Sequence, residues 1–385
     1  MVYLDYNATA PMRPEALEAT LSALKSVGNA SSMHHSGRGA AARVDVARRQ
    51  LAELLGCSPG EIIFTSGATE ANNLALRSAY ARGGTLATTA VEHPAVLETA
   101  RALTAGKPDT LVIAPVDSNG IADMGPIYEA LRTRDVALIS VMLANNETGV
   151  LADLADLADL AEAAHEAGAL VHTDATQYVG RLPLDLADLD VDLLSLSAHK
   201  FGGPQGVGAL FLRRGATLPH RPLMIGGGHE RGWRAGTLNV AGIVGLGAAA
   251  EAARLNVRAE SVRISGLRDR LEAGLHARVP GCQINGSSAP RLPGVTSITI
   301  PGVPADAVLA AMPNVAASDG SACSSGAPSP SHVLLAMGRT RDDADATVRF
   351  SLGYATTEED VERAIETAAD AVTQVRALMA ATAAT

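Results

Sequence analysis

Lysine is scarce in this chain: of 31 basic residues only Lys25, Lys107 and Lys200 are lysines, so arginine supplies positive charge almost everywhere. Arginine stays protonated, whereas a lysine amine can lose its proton and condense with a carbonyl. Lys200 stands in Ser195-Leu-Ser-Ala-His-Lys-Phe-Gly-Gly203, just past an apolar run. The local sequence leaves two readings open, a loop lysine on the surface or an imine-forming one. Cysteine is also sparse. Cys57, Cys282 and Cys323 are odd in number and far apart, which excludes a disulfide framework and a CxxC metal spacing, and no metal site is expected. With 3% aromatics and a single tryptophan, any core must be aliphatic and rich in alanine. No GxxxxGK[ST] occurs, and Gly37-Arg-Gly39 lacks both a third glycine and a preceding strand, so a nucleotide site is not indicated. Apolar runs fall short of a membrane span, and Met1-Val-Tyr-Leu-Asp5 does not begin a signal peptide, so a cytoplasmic protein is expected. A net charge of −10 argues against nonspecific binding to nucleic acid or an anionic membrane.

The chain has 385 residues, more than a single core usually organises, and two domains are expected. A turn-rich lead-in, Tyr3 to Pro11, precedes a helix that Pro14 can open. Apolar residues at helical spacing predict an amphipathic helix from Gly37 to Leu55, closed by Gly56. Residues 61–65 read as a strand that turns at Ser66-Gly67 into a helix reaching about Ala81. The pattern then alternates: strand 85–89, helix 94–103, strand 111–114, helix 123–132, strand 136–143, helix 154–167, strand 170–173. Such alternation predicts a mostly parallel sheet with right-handed crossovers. Strands 192–197 and 207–212 flank Lys200. After the glycine-rich stretch Pro219–Gly236, one helix is expected over 239–258 and a second over 262–278. Short strands at 283–285, 296–300 and 347–352 follow, with helices at 305–311, 332–337 and 358–378, as in a smaller α+β domain. The expected large domain spans 15–258; residues 1–14 and 259–385 make the smaller one, which carries a small, polar loop at about 318–330 that includes Cys323.

Three features offer chemistry. The strand-to-helix turn Ser66-Gly-Ala-Thr69 presents backbone amides, a hydroxyl and a helix dipole to a phosphate, or else is a plain helix cap. Asp174, in His172-Thr-Asp-Ala-Thr-Gln177, lies at the carboxyl end of a strand, where open α/β sheets bind ligands. Such an acid can hold a ring nitrogen protonated. Together with Lys200 these are the parts required to bind pyridoxal phosphate (PLP).

At this point the chain resembles the cysteine desulfurases of the NifS/IscS type, within the class-V aminotransferase group of fold-type-I PLP enzymes. The resemblance rests on Tyr3-Leu-Asp-Tyr-Asn-Ala-Thr-Ala-Pro11, Gly28-Asn29, Thr65-Ser-Gly-Ala-Thr-Glu70, Glu92-His93, Asn145-Asn-Glu-Thr-Gly149, Asp174-Ala-Thr-Gln177, Ser197-Ala-His-Lys200, Gly226-Gly-Gly-His-Glu-Arg-Gly232, Gly236-Thr237, Gly320-Ser-Ala-Cys323 and Arg349-Phe-Ser-Leu-Gly353, in the family's order. It implies an α/β fold, a large domain with a mostly parallel sheet flanked by helices beside a smaller α+β domain.

The resemblance also implies roles. Lys200 would carry PLP as an imine and serve as acid/base at the substrate Cα. Asp174 would pair with the pyridinium nitrogen. His93 would stack on the ring and assist protonation, while Gln177 and Asn146 would reach the ring oxygen and the substrate. The phosphate would rest on Ala68, Thr69, Ser197 and His199. Arg349 would clamp the substrate α-carboxylate with its planar fork, although a structural ion pair is the plain alternative. Thr237 would be lent by a neighbouring subunit, implying a homodimer. Cys323 would attack the sulfur of L-cysteine and leave as a persulfide, giving L-alanine, with an iron–sulfur scaffold or another sulfur acceptor as partner. Cys57 and Cys282 read as structural. The residues after Lys200 and after Cys323 depart from some relatives, and no long carboxyl-terminal docking extension is expected. Alternatives on the same cofactor are a selenocysteine lyase, a cysteine-sulfinate desulfinase or an aminotransferase; a non-catalytic binding protein of the same fold is a further one.

Overall fold

A computed structural model describes residues 1–319 and 330–383. Strand β1 is Val2–Tyr3, followed by helices α1 (Pro14–Leu24) and α2 (His35–Leu55). The alternating region comprises β2 (Ile62–Thr65), α3 (Ala68–Tyr80), β3 (Thr85–Thr89), α4 (Pro94–Leu103), β4 (Leu111–Ala114), α5 (Gly125–Thr133), β5 (Val136–Ser140), α6 (Leu154–Glu166), β6 (Leu170–Asp174), β7 (Leu193–Ser197) and β8 (Gly208–Leu212). Helix α7 spans Val240–Arg278; then come β9 (Gln283–Ile284), β10 (Val295–Thr299), α8 (Ala305–Ala311), β11 (Val315–Ala316), β12 (Ser318–Asp319), α9 (His332–Ala336), α10 (Arg341–Asp345), β13 (Thr347–Ser351) and α11 (Glu358–Ala383).

The main sheet has the order β2-β8-β7-β6-β5-β3-β4. Strands β3 to β7 pair in parallel, and β8 is antiparallel to both β7 and β2. The exception follows from connection length: the turn from Ala198 to Val207 is shorter than the roughly dozen residues a parallel crossover requires. The run predicted as a strand to residue 143 is assigned only to Ser140, yet the amides of Val141 and Leu143 still donate to the carbonyls of His172 and Asp174 at 3.1 Å.

A second, antiparallel sheet runs β12-β13-β10-β9. The amino-terminal lead-in begins in a two-residue strand, with Val2 opposite Val315 and Tyr3 opposite Ala316 in a parallel pair. Elements of two residues show no periodicity, so β1, β11 and β12 have no sequence signature; nor did that of the short α10 stand out.

Two helices were expected between residues 239 and 278; the structure has one, α7. No glycine or proline interrupts residues 255–263, and Glu260 faces Arg13 in a bidentate ion pair (2.9 and 2.6 Å). The apparent break is a change of partner. Ile243, Leu246, Ala249, Ala250 and Ala253 join a core with Val44, Leu51 and Leu55 of α2 and the main sheet. Ile264, Leu267, Leu271 and Leu275 enter a separate core with Val2, Leu4, Ile298, Phe350 and Ile365. The first half of α7 is also long and apolar enough to cross a membrane by length and composition, which corrects the expectation that nothing approaches a span. In the fold 56% of that stretch is buried, packed on α1 and α2.

Candidate active site

The carboxyl ends of β2, β3, β5, β6 and β7 lie along one edge of the main sheet, and there a cavity of about 390 Å³ opens. Ala68, Thr69, His93, Asn146, Asp174, Gln177, Ser197, His199 and Lys200 all line it. Asp174 and Ser197 are the last residues of β6 and β7, and the others stand in the turns that leave β2, β3, β5, β6 and β7, so the sheet edge fixes where these side chains start.

The turn after β2 leads into α3, whose N-cap Gly67 offers no capping side chain. The first amides of the helix therefore face the cavity with the positive end of the helix dipole behind them. The Ser66 amide donates to Glu70 Oε2 at 2.8 Å, and Arg234 Nε donates to Glu70 Oε1 at 3.1 Å, which steadies the turn. Strand β8 passes close behind it: a Cβ at Gly208 would lie 2.7 Å from the Gly67 Cα and 2.5 Å from the Leu196 carbonyl oxygen.

Asp174 is buried. Its Oδ2 accepts from Asn72 Nδ2 at 2.7 Å and its Oδ1 from the Thr176 amide at 2.9 Å. Two residues earlier on the same strand, the buried His172 ring is held between Ser140 Oγ (2.8 Å) and Ser195 Oγ (2.9 Å). Burial pushes the His172 imidazole down to about 4, so it is neutral at pH 7. Burial, then the Lys200 and Arg181 cations, likewise push His199 down to about 4. His93 Nδ1 accepts from the Ala95 amide at 3.0 Å and so caps α4 while the ring lines the cavity. Burial lowers its pKa, and with Nδ1 accepting, the neutral ring carries its proton on Nε2. The adjacent Glu92 is fully buried and pushed up to about 8 by that burial, although Thr89 Oγ1 (3.0 Å) and the Met142 amide (2.7 Å) donate to Oε1.

Lys200 closes a single 3₁₀ turn after β7, and its Nζ donates to the carbonyls of Asn7 and Ala8, the latter at 2.9 Å. Gln177 Nε2 donates to the same Asn7 carbonyl at 3.1 Å. Arg349, 1% exposed, lies outside the cavity lining: Nη1 donates to the Asn146 carbonyl at 3.0 Å and Nη2 pairs with Asp5 Oδ1 at 2.9 Å. The structural ion pair that the sequence left open is thus present. Several buried polar atoms here have no hydrogen-bond partner among the described residues: Asn72 Oδ1, Asn146 Oδ1, Thr176 Oγ1, Gln177 Oε1 and Arg349 Nε. Such atoms are costly unless a ligand meets them.

Thr237 is exposed and does not line this cavity within one chain. Cys323 lies outside the described residues. Just beyond that stretch, Ser331 Oγ donates to the buried Glu147 carboxyl, which burial pushes up to about 7, and His332 Nε2 meets the Glu92 carbonyl at 2.9 Å. Sequence reasoning did not single out Asn7, Asn72 or Arg181. Asn72 carried a usable signal, since it lies one turn into α3 from Thr69; Asn7 and Arg181 carried none, because their contacts join segments far apart in the chain.

A sheet-edge cavity with a helix amino terminus, a strand-end acid and a strand-end lysine defines an α/β enzyme of the cofactor-binding kind. The aminotransferase class-V family model matches residues 2–364, and the chain belongs to that family. It is 44% identical over 381 residues to the protein named cysteine desulfurase IscS of Anaeromyxobacter dehalogenans (strain 2CP-C), covering 97% of this chain and 93% of that one. Identity to a cysteine desulfurase of Cereibacter sphaeroides is 46% over 384 residues, covering 98% and 97%. The solved structure of a NifS-like protein from Rickettsia africae ESF-5 superposes with a TM-score of 0.87 at 32% identity, over 96% of this chain and 99% of the other. The α/β architecture expected from sequence is therefore the one it shares with NifS-like proteins.

Proposed function

We propose that this chain is a PLP-dependent cysteine desulfurase that converts L-cysteine to L-alanine and carries the sulfur away as a persulfide on Cys323. The observation that carries the reading is the convergence of Lys200, Asp174 and the α3 amino terminus on one cavity, in a chain whose relatives are named cysteine desulfurases.

The residues present fit the cofactor. The amides of Ala68 and Thr69, with Ser197 and His199 opposite, suit its phosphate, and Asp174 suits a protonated ring nitrogen. The unpartnered oxygens of Asn146, Gln177 and Thr176 are acceptors waiting for ring or substrate donors. When bound, PLP supplies an electron sink for negative charge at the substrate Cα. Lys200 would hold it and would move the proton at the substrate Cα. His93, neutral and carrying its proton on Nε2, would stack on the ring and return a proton. Arg349, with its unpartnered Nε, receives the substrate carboxylate. The Cys323 thiolate attacks the substrate Sγ; the S–S bond forms as the Cβ–Sγ bond breaks, and the carbon takes up a proton on the way to alanine. Thr237, exposed in one chain, reaches the site of a second copy in a homodimer. Sulfur passes to an iron–sulfur scaffold or another acceptor in the cytoplasm. The chain works as two domains, residues 15–258 and residues 1–14 with 259–385.

The test is turnover of L-cysteine with and without Cys323. Cys323→Ser is expected to lower sulfide and alanine release by about 100-fold or more, with the cofactor still bound. Wild-type sulfide release from that variant, or a keto acid in place of alanine, overturns the reading.

A further inference from the structure

Behind Lys200 and Gln177, outside the cavity lining itself, the amino-terminal segment packs against the site, and its centre is Asn7, which is 1% exposed. Every polar atom of Asn7 is engaged. Its amide donates to Ser351 Oγ at 2.8 Å, Nδ2 donates to the Asn146 carbonyl at 2.9 Å, and Oδ1 accepts from Arg181 Nη1. Its carbonyl accepts from both Lys200 Nζ and Gln177 Nε2. Arg181 completes a clasp, because Nη2 also donates to the Tyr6 carbonyl at 3.0 Å and the Lys200 carbonyl at 3.2 Å. Arg181 is half-buried and has no carboxylate within ion-pair reach among the described residues, and desolvation, then the Arg349 cation, push it down to about 9. Its two Nη groups donate to these oxygens.

The side-chain chemistry is specific. An amide on a short stem offers one acceptor and one donor at fixed spacing; aspartate lacks the donor, and serine is too short to span two partners.

We propose that Asn7 is a positioning residue for Lys200: clasped by Arg181, it holds the Asn7 and Ala8 carbonyls where they receive the Lys200 amine whenever that amine is not joined to the cofactor. The inference rests on the assignment of Lys200 above. Two carbonyl acceptors favour the ammonium form and fix its place, so the amine returns to the same position in every turnover. Among the described residues, the charged or titratable groups that share a cavity lining with Lys200 include Asp174 at the end of β6, His93 at the start of α4, the adjacent His199 and Glu70 on one side, and Arg181, Arg13 and Glu260 on the other. Variants of Asn7 leave all of them in the chain.

The experiment uses protein stripped of cofactor, to which PLP is added across a pH series while the visible absorbance of its joining to Lys200 is followed. Asn7→Ala releases the two carbonyls, and the pH midpoint for joining is expected to fall by about one unit. Asn7→Asp keeps the shape and the Arg181 contact but adds a negative charge beside the amine, and its midpoint is expected to rise, so the test survives if the alanine variant fails to fold. Wild-type absorbance with an unmoved midpoint in both variants overturns this inference alone. A wild-type chain that develops no absorbance overturns the assignment of Lys200 along with it.

Discussion

The two walls of the site, the cavity lining and the packed shell behind Lys200 and Asn146, are built in different ways. On the sheet side, the α3 turn, Asp174 and the Ser197–Lys200 turn each sit at the end of a strand, and the backbone ladder sets their positions. On the other side, Asp5, Asn7 and Arg349 come from the two ends of the chain and are held by individual side-chain hydrogen bonds. A ladder is cooperative and survives the loss of one side chain, whereas a wall of single contacts shifts when one is removed. The sheet side should therefore tolerate substitution structurally while losing chemistry, and the other side should lose geometry.

The largest effect should come from the sheet side. Asp174→Ala is expected to fold with the same stability to within about 2 kcal/mol, while turnover falls by about 10²–10³, since a preorganised charge is lost. A loss of cooperative unfolding instead would break the contrast between the walls. On the opposite side, Arg349→Lys replaces a planar fork bound to both Asn146 and Asp5 with a single point charge. The KM for L-cysteine should rise by about tenfold or more, with a smaller change in kcat, measured by alanine release.

The smallest effect tests the buried Glu92 carboxyl, next in the chain to His93. Folded Glu92 keeps its proton up to about pH 8, whereas the ordinary value is 4.5. Between those values the folded chain binds the extra proton, so this group makes stability fall as pH rises, by about 1.4 kcal/mol per unit. Glu92→Gln keeps a neutral acceptor for Thr89 and Met142. Its urea midpoint should decline less than that of the wild type between pH 5 and 8; an identical decline would show that Glu92 does not set the slope.

Much of this was legible beforehand because strands and helices advertise themselves by period. The alternation fixed residues 85–89, 94–103 and 111–114 to the residue. Legibility failed where a tertiary partner replaced a local signal. Helix α7 looked like two helices because its buried face changes from one core to another, and strand β1 is too short to show an alternation. Asp174 was visible as a strand-end acid, but Asn72, which holds its Oδ2, belongs to another element.

By itself the sequence determined the chemistry on offer: one lysine where arginine is the rule, an acid and a small-residue turn at strand ends, and an aliphatic core cut into alternating segments. Tertiary structure decided which of these groups meet. It joined Asn7 and Ala8 to Lys200 across nearly two hundred residues, left Thr237 out of its own cavity's lining, and tied Arg349 to Asp5. The reason is physical. Local patterns report how a segment buries its own apolar face, whereas hydrogen bonds between distant segments form only after those faces have packed.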